Sequence, residues 1–131
     1  MTDKDLLEVT SAALNPAAII SRVMDDDGGA VAVFIGKVRG VSEGRRVATL
    51  EHDAGPEAAG KLLQSVVREM RGTWPLGKIA FSYRTGPVEA GEVTAVVAVS
   101  AVHRQEAFAA CQHAMDCFKG MVTAREVLED E

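Results

Sequence analysis

The sequence predicts an α+β fold with a mixed or antiparallel sheet, its hairpins packed against helices. Three observations carry this. Helical and β-rich stretches follow the order α-β-β-α-β-β-α-(β), so strands arrive in adjacent pairs rather than singly between helices, unlike a doubly wound parallel sheet. The 131 residues suit a single domain, 1–131, able to bury a core without staples. The composition, 47% hydrophobic and 25% charged, is ordinary for a soluble globular chain.

The elements justify themselves in turn. In NPAAIISRVMDDDGG, Asn15 is placed to cap a short helix, Pro16 suits its first position, and Gly28-Gly29 is expected to end it. AVAVFIGKVRG, Ala30 to Gly40, is an apolar, β-rich run expected to be a buried strand. VSEGRR reads as a turn, and VATLEHDA, Val47 to Ala54, as a second strand that would pair with the first as a hairpin. From Pro56 to Trp74, Leu62, Leu63, Val66, Val67 and Met70 recur at helical spacing. KIAFSYRTG, Lys78 to Gly86, is a strand with Ile79, Phe81 and Tyr83 on one face, and PVEAGE is a turn. Val93 to Val102 is a near-continuous apolar strand. Ala101 to Gly120 reads as one amphipathic helix, and the tail MVTAREVLEDE as a short edge strand.

Charge and cysteine content narrow the function. A net charge of -5 argues against a nucleic-acid partner. Cys111 and Cys117 lie six residues apart on one helix, about 240° around its axis, so they neither pair readily nor share a metal, and fit free thiols in a reducing cytoplasm. The acidic N-terminus lacks the features of a signal peptide, and no apolar run reaches membrane-spanning length, so no membrane partner is expected. The familiar phosphate-loop, dinucleotide, CxxC, HExxH and GxSxG motifs do not occur. His52, His103 and His113 are scattered, so no metal site is expected. A metal-free site built on cationic side chains remains.

Three sets of cations qualify. Lys37 and Arg39 are two apart on a strand end, so both charges face one side and suit a phosphate or carboxylate; for an arbitrary Lys-x-Arg a solvated strand end is the better reading. His103 and Arg104 open a helix, where backbone N–H groups favour anions. Arg104 runs against the usual acidic preference there, yet also fits a surface partner of Glu106. Lys119, before Gly120, fits a helix C-cap. It also lies about 40° from Met115, at the edge of the apolar face, where an amine serves as nucleophile or proton carrier.

Taken together, AVFIGKVRG, WPLGKIAFSYRTGPVEAGE and VAVSAVHRQEAFAACQHAMDCFK, in this order, resemble the catalytic subunit family of molybdopterin synthase from about Gly28 to Lys119. The resemblance implies an α/β hammerhead fold and a homodimer with sites shared between protomers. It implies as partner a small, ubiquitin-like sulfur-carrier subunit ending in a Gly-Gly thiocarboxylate, and as substrate cyclic pyranopterin monophosphate, converted to molybdopterin by placing two sulfurs as a dithiolene. Lys119 would be the catalytic lysine. Lys37, Arg39, His103 and Arg104 would bind the anionic pterin, with no cofactor and no metal. After Lys119 the family's Pro-aromatic-Trp-Lys segment is replaced by a shortened tail, in which Arg125-Glu126 echoes the motif's end and makes Arg125 a further substrate-binding candidate. The alternative is a non-catalytic dimeric relative that keeps the fold and the anion pocket.

Overall fold

The computed structural model describes residues 5–24, 27–52, 55–121 and 124–129. In chain order its elements are β1 (Leu6–Thr10), α1 (Pro16–Ser21), β2 (Ala30–Lys37), β3 (Val41–Ser42), β4 (Arg45–His52), α2 (Pro56–Thr73), β5 (Leu76–Arg84), β6 (Val88–Glu89), β7 (Val93–Ala101), α3 (Arg104–Met121) and β8 (Ala124–Leu128). Among the described residues the strands form two four-stranded sheets. The first has the order β1-β5-β7-β2, with β1 parallel to β5 and the other pairs antiparallel. In the second, β4 pairs with β3, β6 and β8, all antiparallel.

Burial explains the apolar runs. One face of the first sheet, with Ile79, Phe81 and Tyr83 of β5 and Val97 and Val99 of β7, packs on α2 and α3. Leu63, Val67 and Met70 of α2 meet Ala110, Ala114 and Phe118 of α3 in this core. The other face, through Ala80, Val96 and Ala98, is covered by Ile19 of α1 and by Val23. β7 is therefore buried on both sides, which is why its sequence is continuous rather than alternating. A smaller core of Val38, Val47 and Val88 belongs to the second sheet.

The predicted pairing of the first two strands does not form. β2 pairs with β7 instead, and at a bulge between Gly36 and Lys37 the chain leaves the first sheet. Val38 then drops into the second core, held by hydrogen bonds with Glu92 and Gly91. The turn at Glu43-Gly44 is real, and both residues have positive φ, the geometry of a two-residue type I′ hairpin. It joins β4 to the two-residue β3, not to β2. The PVEAGE turn likewise contains β6, which pairs with β4. β1 was not expected: it adds as a parallel edge strand whose partner lies about 70 residues away in sequence, a separation that local patterning does not report.

α1 is capped by Asn15, whose side chain accepts from Ala18 N at 3.2 Å, but it ends at Ser21, earlier than Gly28-Gly29. Those glycines have another role. A Cβ on Gly28 would sit 2.6 Å from Ser100 Oγ and 2.7 Å from Ala101 O, and one on Gly29 2.7 Å from Val102 O. The pair lets the backbone pass tightly against the end of β7. Asp25-Asp26 within the predicted helical stretch, Asp53-Ala54 at the end of the predicted second strand, and Glu131 lie outside the described residues. No described helix is long and apolar enough to cross a membrane.

Candidate active site

α3 lies along β2 on one side and α2 on the other. Its buried positions Ala107, Ala110, Ala114 and Phe118 fall at helical spacing and press it onto the sheet. The helix carries Lys119 in its last turn, on the side of β2, with Nζ 5.5 Å from the centre of the Phe34 ring. Phe118, wedged between Phe81 and Tyr83 with ring centres at 5.1 and 4.6 Å, fixes the backbone from which Lys119 projects.

Lys119 forms part of the wall of two cavities, each of about 450 Å³. The first is an apolar groove between β2 and α3, lined by Ala32, Phe34, Phe108, Cys111 and Met115 among others. The second is polar and lies where β2 ends against the second sheet, lined by Lys37, Arg39, Leu50, Ala124 and Glu126 with Lys119. Lys37 and Arg39 flank the buried Val38, so both remain exposed on one side, as a strand-like alternation requires. Lys37, Arg39 and Lys119, the first and last 82 positions apart in sequence, thus share one cavity.

Arg39 is not a bare cation. Its Nε donates to Glu126 Oε2 at 2.7 Å and its Nη2 to Glu126 Oε1 at 3.0 Å, a bidentate pair. This bond, with a second hydrogen bond from Ser42, holds the Glu126 carboxyl below the usual carboxylate range. The fork edge that the sequence assigned to a phosphate is therefore engaged by β8, which leaves Nη1 for a further anion. Phe34, Phe108 and Glu126 line these two cavities and are absent from the candidates read from the sequence. Phe34 and Phe108 read there as ordinary apolar positions, whereas Glu126 had a signal in the Arg125-Glu126 echo.

The other candidates lie elsewhere in the chain. His103 and Arg104 stand exposed at the opposite end of the eighteen-residue α3 from Lys119. His103 Nδ1 is 4.0 Å from Glu106 Oε1. Arg125 alternates with Ala124 and Glu126 on β8 and falls 4.0 Å from Glu51 across the strand pair, outside the cavity that its two neighbours line. Both cysteines are free thiols. Burial pushes Cys111 up to about 11, and burial followed by the charges of Glu69 and Asp116 also raises Cys117.

Cations, one carboxylate and an adjoining apolar groove form a set suited to an organic anion. The family model for the MoaE protein matches residues 9–121, which include the apolar groove and the cations Lys37, Arg39 and Lys119 but not Glu126 of β8. The chain belongs to the MoaE family. Relatives include the molybdopterin synthase catalytic subunit of Oryza sativa subsp. indica, 38% identical over 133 residues, covering 98% of this chain and 69% of that protein. That of Bacillus subtilis (strain 168) is 33% identical over 125 residues, covering 94% and 80%. The solved molybdopterin synthase from Staphylococcus aureus superposes with a TM-score of 0.87 at 26% identity, covering 100% of this chain and 96% of that one. The α+β, hammerhead-type expectation agrees with this superposition, and MoaE membership places the chain among the enzymes of molybdenum cofactor biosynthesis.

Proposed function

We propose that this MoaE protein transfers sulfur from a thiocarboxylated small carrier subunit to cyclic pyranopterin monophosphate, forming the molybdopterin dithiolene. The observation that carries the reading is the position of Lys119 at the common wall of an apolar groove and a cationic cavity. An extended carrier tail fits the groove, and the phosphate-bearing pterin fits the cations of Lys37 and Arg39. Lys119 then stands between donor and acceptor, where an amine polarises or attacks the acyl carbon that holds the sulfur. The relatives' description as a catalytic subunit accords with a second, carrier subunit.

His103 and Arg104 enter the reading through a dimer. Fifteen residues at 1.5 Å each separate Arg104 from Lys119 by about 22 Å along α3, too far for one small pterin. A homodimer in which Arg104 of one protomer meets Lys119 of the other supplies both to one site. Ile35, and Val102 beside His103, leave apolar side chains exposed outside the groove for such protein contacts. The cytoplasm is the place of action in this reading.

The test is reconstitution with a thiocarboxylated carrier and the cyclic pterin. Molybdopterin formation is the expected result. Pterin binding with no product, using a carrier proven competent, would replace this reading with a non-catalytic dimeric binding module.

A further inference from the structure

The side of α3 away from Lys119 carries a second cluster of reactive groups. Cys117 and Lys119 are two residues apart, about 200° around a helix. With Lys119 against β2, Cys117 faces α2. There His113 Nε2 lies 3.1 Å from Glu69 Oε1 and 3.3 Å from Cys117 Sγ. One ligand atom from each of the three residues lies within 4.8 Å of the other two.

The two separations from Nε2 approach those of a coordination shell. Bonds of about 2.0–2.3 Å at tetrahedral angles place neighbouring ligand atoms about 3.3–3.6 Å apart. His113 and Cys117 stand at i and i+4, the helical spacing that stacks two ligands over one turn, and Glu69 closes the set from the neighbouring helix. Nε2 has only one proton or one lone pair to offer two neighbours; a cation between them would satisfy all three groups. The Trp74 ring meets His113 edge-on, with ring centres 5.3 Å apart, and backs the imidazole from one side.

We propose that Glu69, His113 and Cys117 form a three-ligand site for a divalent cation of the zinc class, with water as fourth ligand, clipping α2 to α3. The mixed S, N, O donor set selects a borderline-soft ion over magnesium or calcium. Cys117 and His113 are half-buried and Glu69 is exposed, so the ion enters from solvent. Cys117 Sγ lies 3.9 Å from Nδ1, beside the ring, so loading turns the imidazole to aim the Nε2 lone pair between oxygen and sulfur. As the sulfur–metal bond forms, the thiol proton leaves to solvent, and nothing is oxidised or reduced. The clip ends two residues before Lys119, so it steadies the turn that carries that amine.

The full chain, stripped by a chelator, is titrated with Co²⁺ and then Zn²⁺. The expected result is one Co²⁺ per chain with a thiolate-to-cobalt charge-transfer band and tetrahedral visible bands, both bleached by Zn²⁺. Cys117→Ser abolishes the charge-transfer band, and His113→Ala and Glu69→Gln each weaken Zn²⁺ binding about tenfold or more. Absence of the band in the unsubstituted chain, or its persistence in folded Cys117→Ser, overturns the site. Should that variant fail to fold, alkylation of Cys117 in the unsubstituted protein decides: Zn²⁺ should slow it, and an unchanged rate refutes the proposal.

Discussion

At the scale of single residues, Lys119 and Arg39 show how neighbours set what a cation does. Lys119 is exposed, and in the fold it does little more than complement the end of α3, worth about 1 kcal/mol or less. Lys119→Ala should therefore abolish dithiolene formation while leaving the thermal midpoint nearly unchanged; a product assay beside a melting curve checks both, and an active alanine variant returns the lysine to a capping role. Arg39 is committed bidentately to Glu126, and a lysine cannot copy that fork. Arg39→Lys should weaken pterin binding about tenfold, the order of one charge-assisted hydrogen bond, as read by calorimetry. The same pair sets a pH dependence. Because the folded state lowers the Glu126 carboxyl, the pair's contribution is complete above the ordinary carboxylate range and is lost as pH falls through the lowered value. A carboxyl NMR titration of Glu126 should show a midpoint below that of an ordinary glutamate, returning toward it in Arg39→Ala.

At the scale of elements, the end of α2 is tied to two strands by one buried ion pair. Arg71 Nε donates to Asp5 Oδ2 at 3.0 Å, and its Nη2 also donates to Gly77 O at 2.8 Å. Asp5 Oδ1 accepts from Ile79 N at 3.1 Å, and the Asp5 side chain is 1% exposed. This explains how a five-residue parallel edge strand such as β1 holds its register: the residue before it is locked to the helix and to β5 together. Removing Asp5 leaves a largely buried guanidinium without its carboxylate, which costs up to about 3–5 kcal/mol. Asp5→Ala should lower unfolding stability by that order in urea titration, whereas Lys61→Ala, which loses only an exposed pair with Glu57, should change it by less than about 0.5 kcal/mol.

At the scale of the whole molecule, the opposite ends of α3 lead to a test of assembly. Arg104→Ala and Lys119→Ala homodimers should each be inactive under the shared-site reading. In a mixed dimer, one of the two composite sites keeps both residues. Statistical exchange makes about half the dimers mixed, so activity should recover to about one quarter of the unsubstituted level. No recovery despite demonstrated subunit exchange would exclude a site built from both protomers.

Much of this architecture was written in local pattern. The helical spacing of Leu63, Val67 and Met70, the period-two face of Ile79, Phe81 and Tyr83, and the near-continuous apolar strand from Val93 to Val102 each depend on neighbours a few residues away, and each is present in the fold, the strand ending at Ala101. So are the capping by Asn15 and the edge strand β8. Pairing was another matter. Val31, Ile35 and Phe34 suit any partner strand, so composition did not reveal that β2 would join β7 and surrender β4 to a separate sheet. That choice turned on the bulge at Gly36-Lys37 and the burial of Val38, events of packing between distant segments. The candidate site divides along the same line. Its cations were legible as residue types in telling places, but the engagement of Arg39 by Glu126, the Phe34 ring beside Lys119, and the meeting of Glu69 with His113 and Cys117 join residues 44 to 87 positions apart. Short-range periodicity carries no information over such distances; only the closure of the sheets and the docking of α3 between β2 and α2 brought those groups into contact.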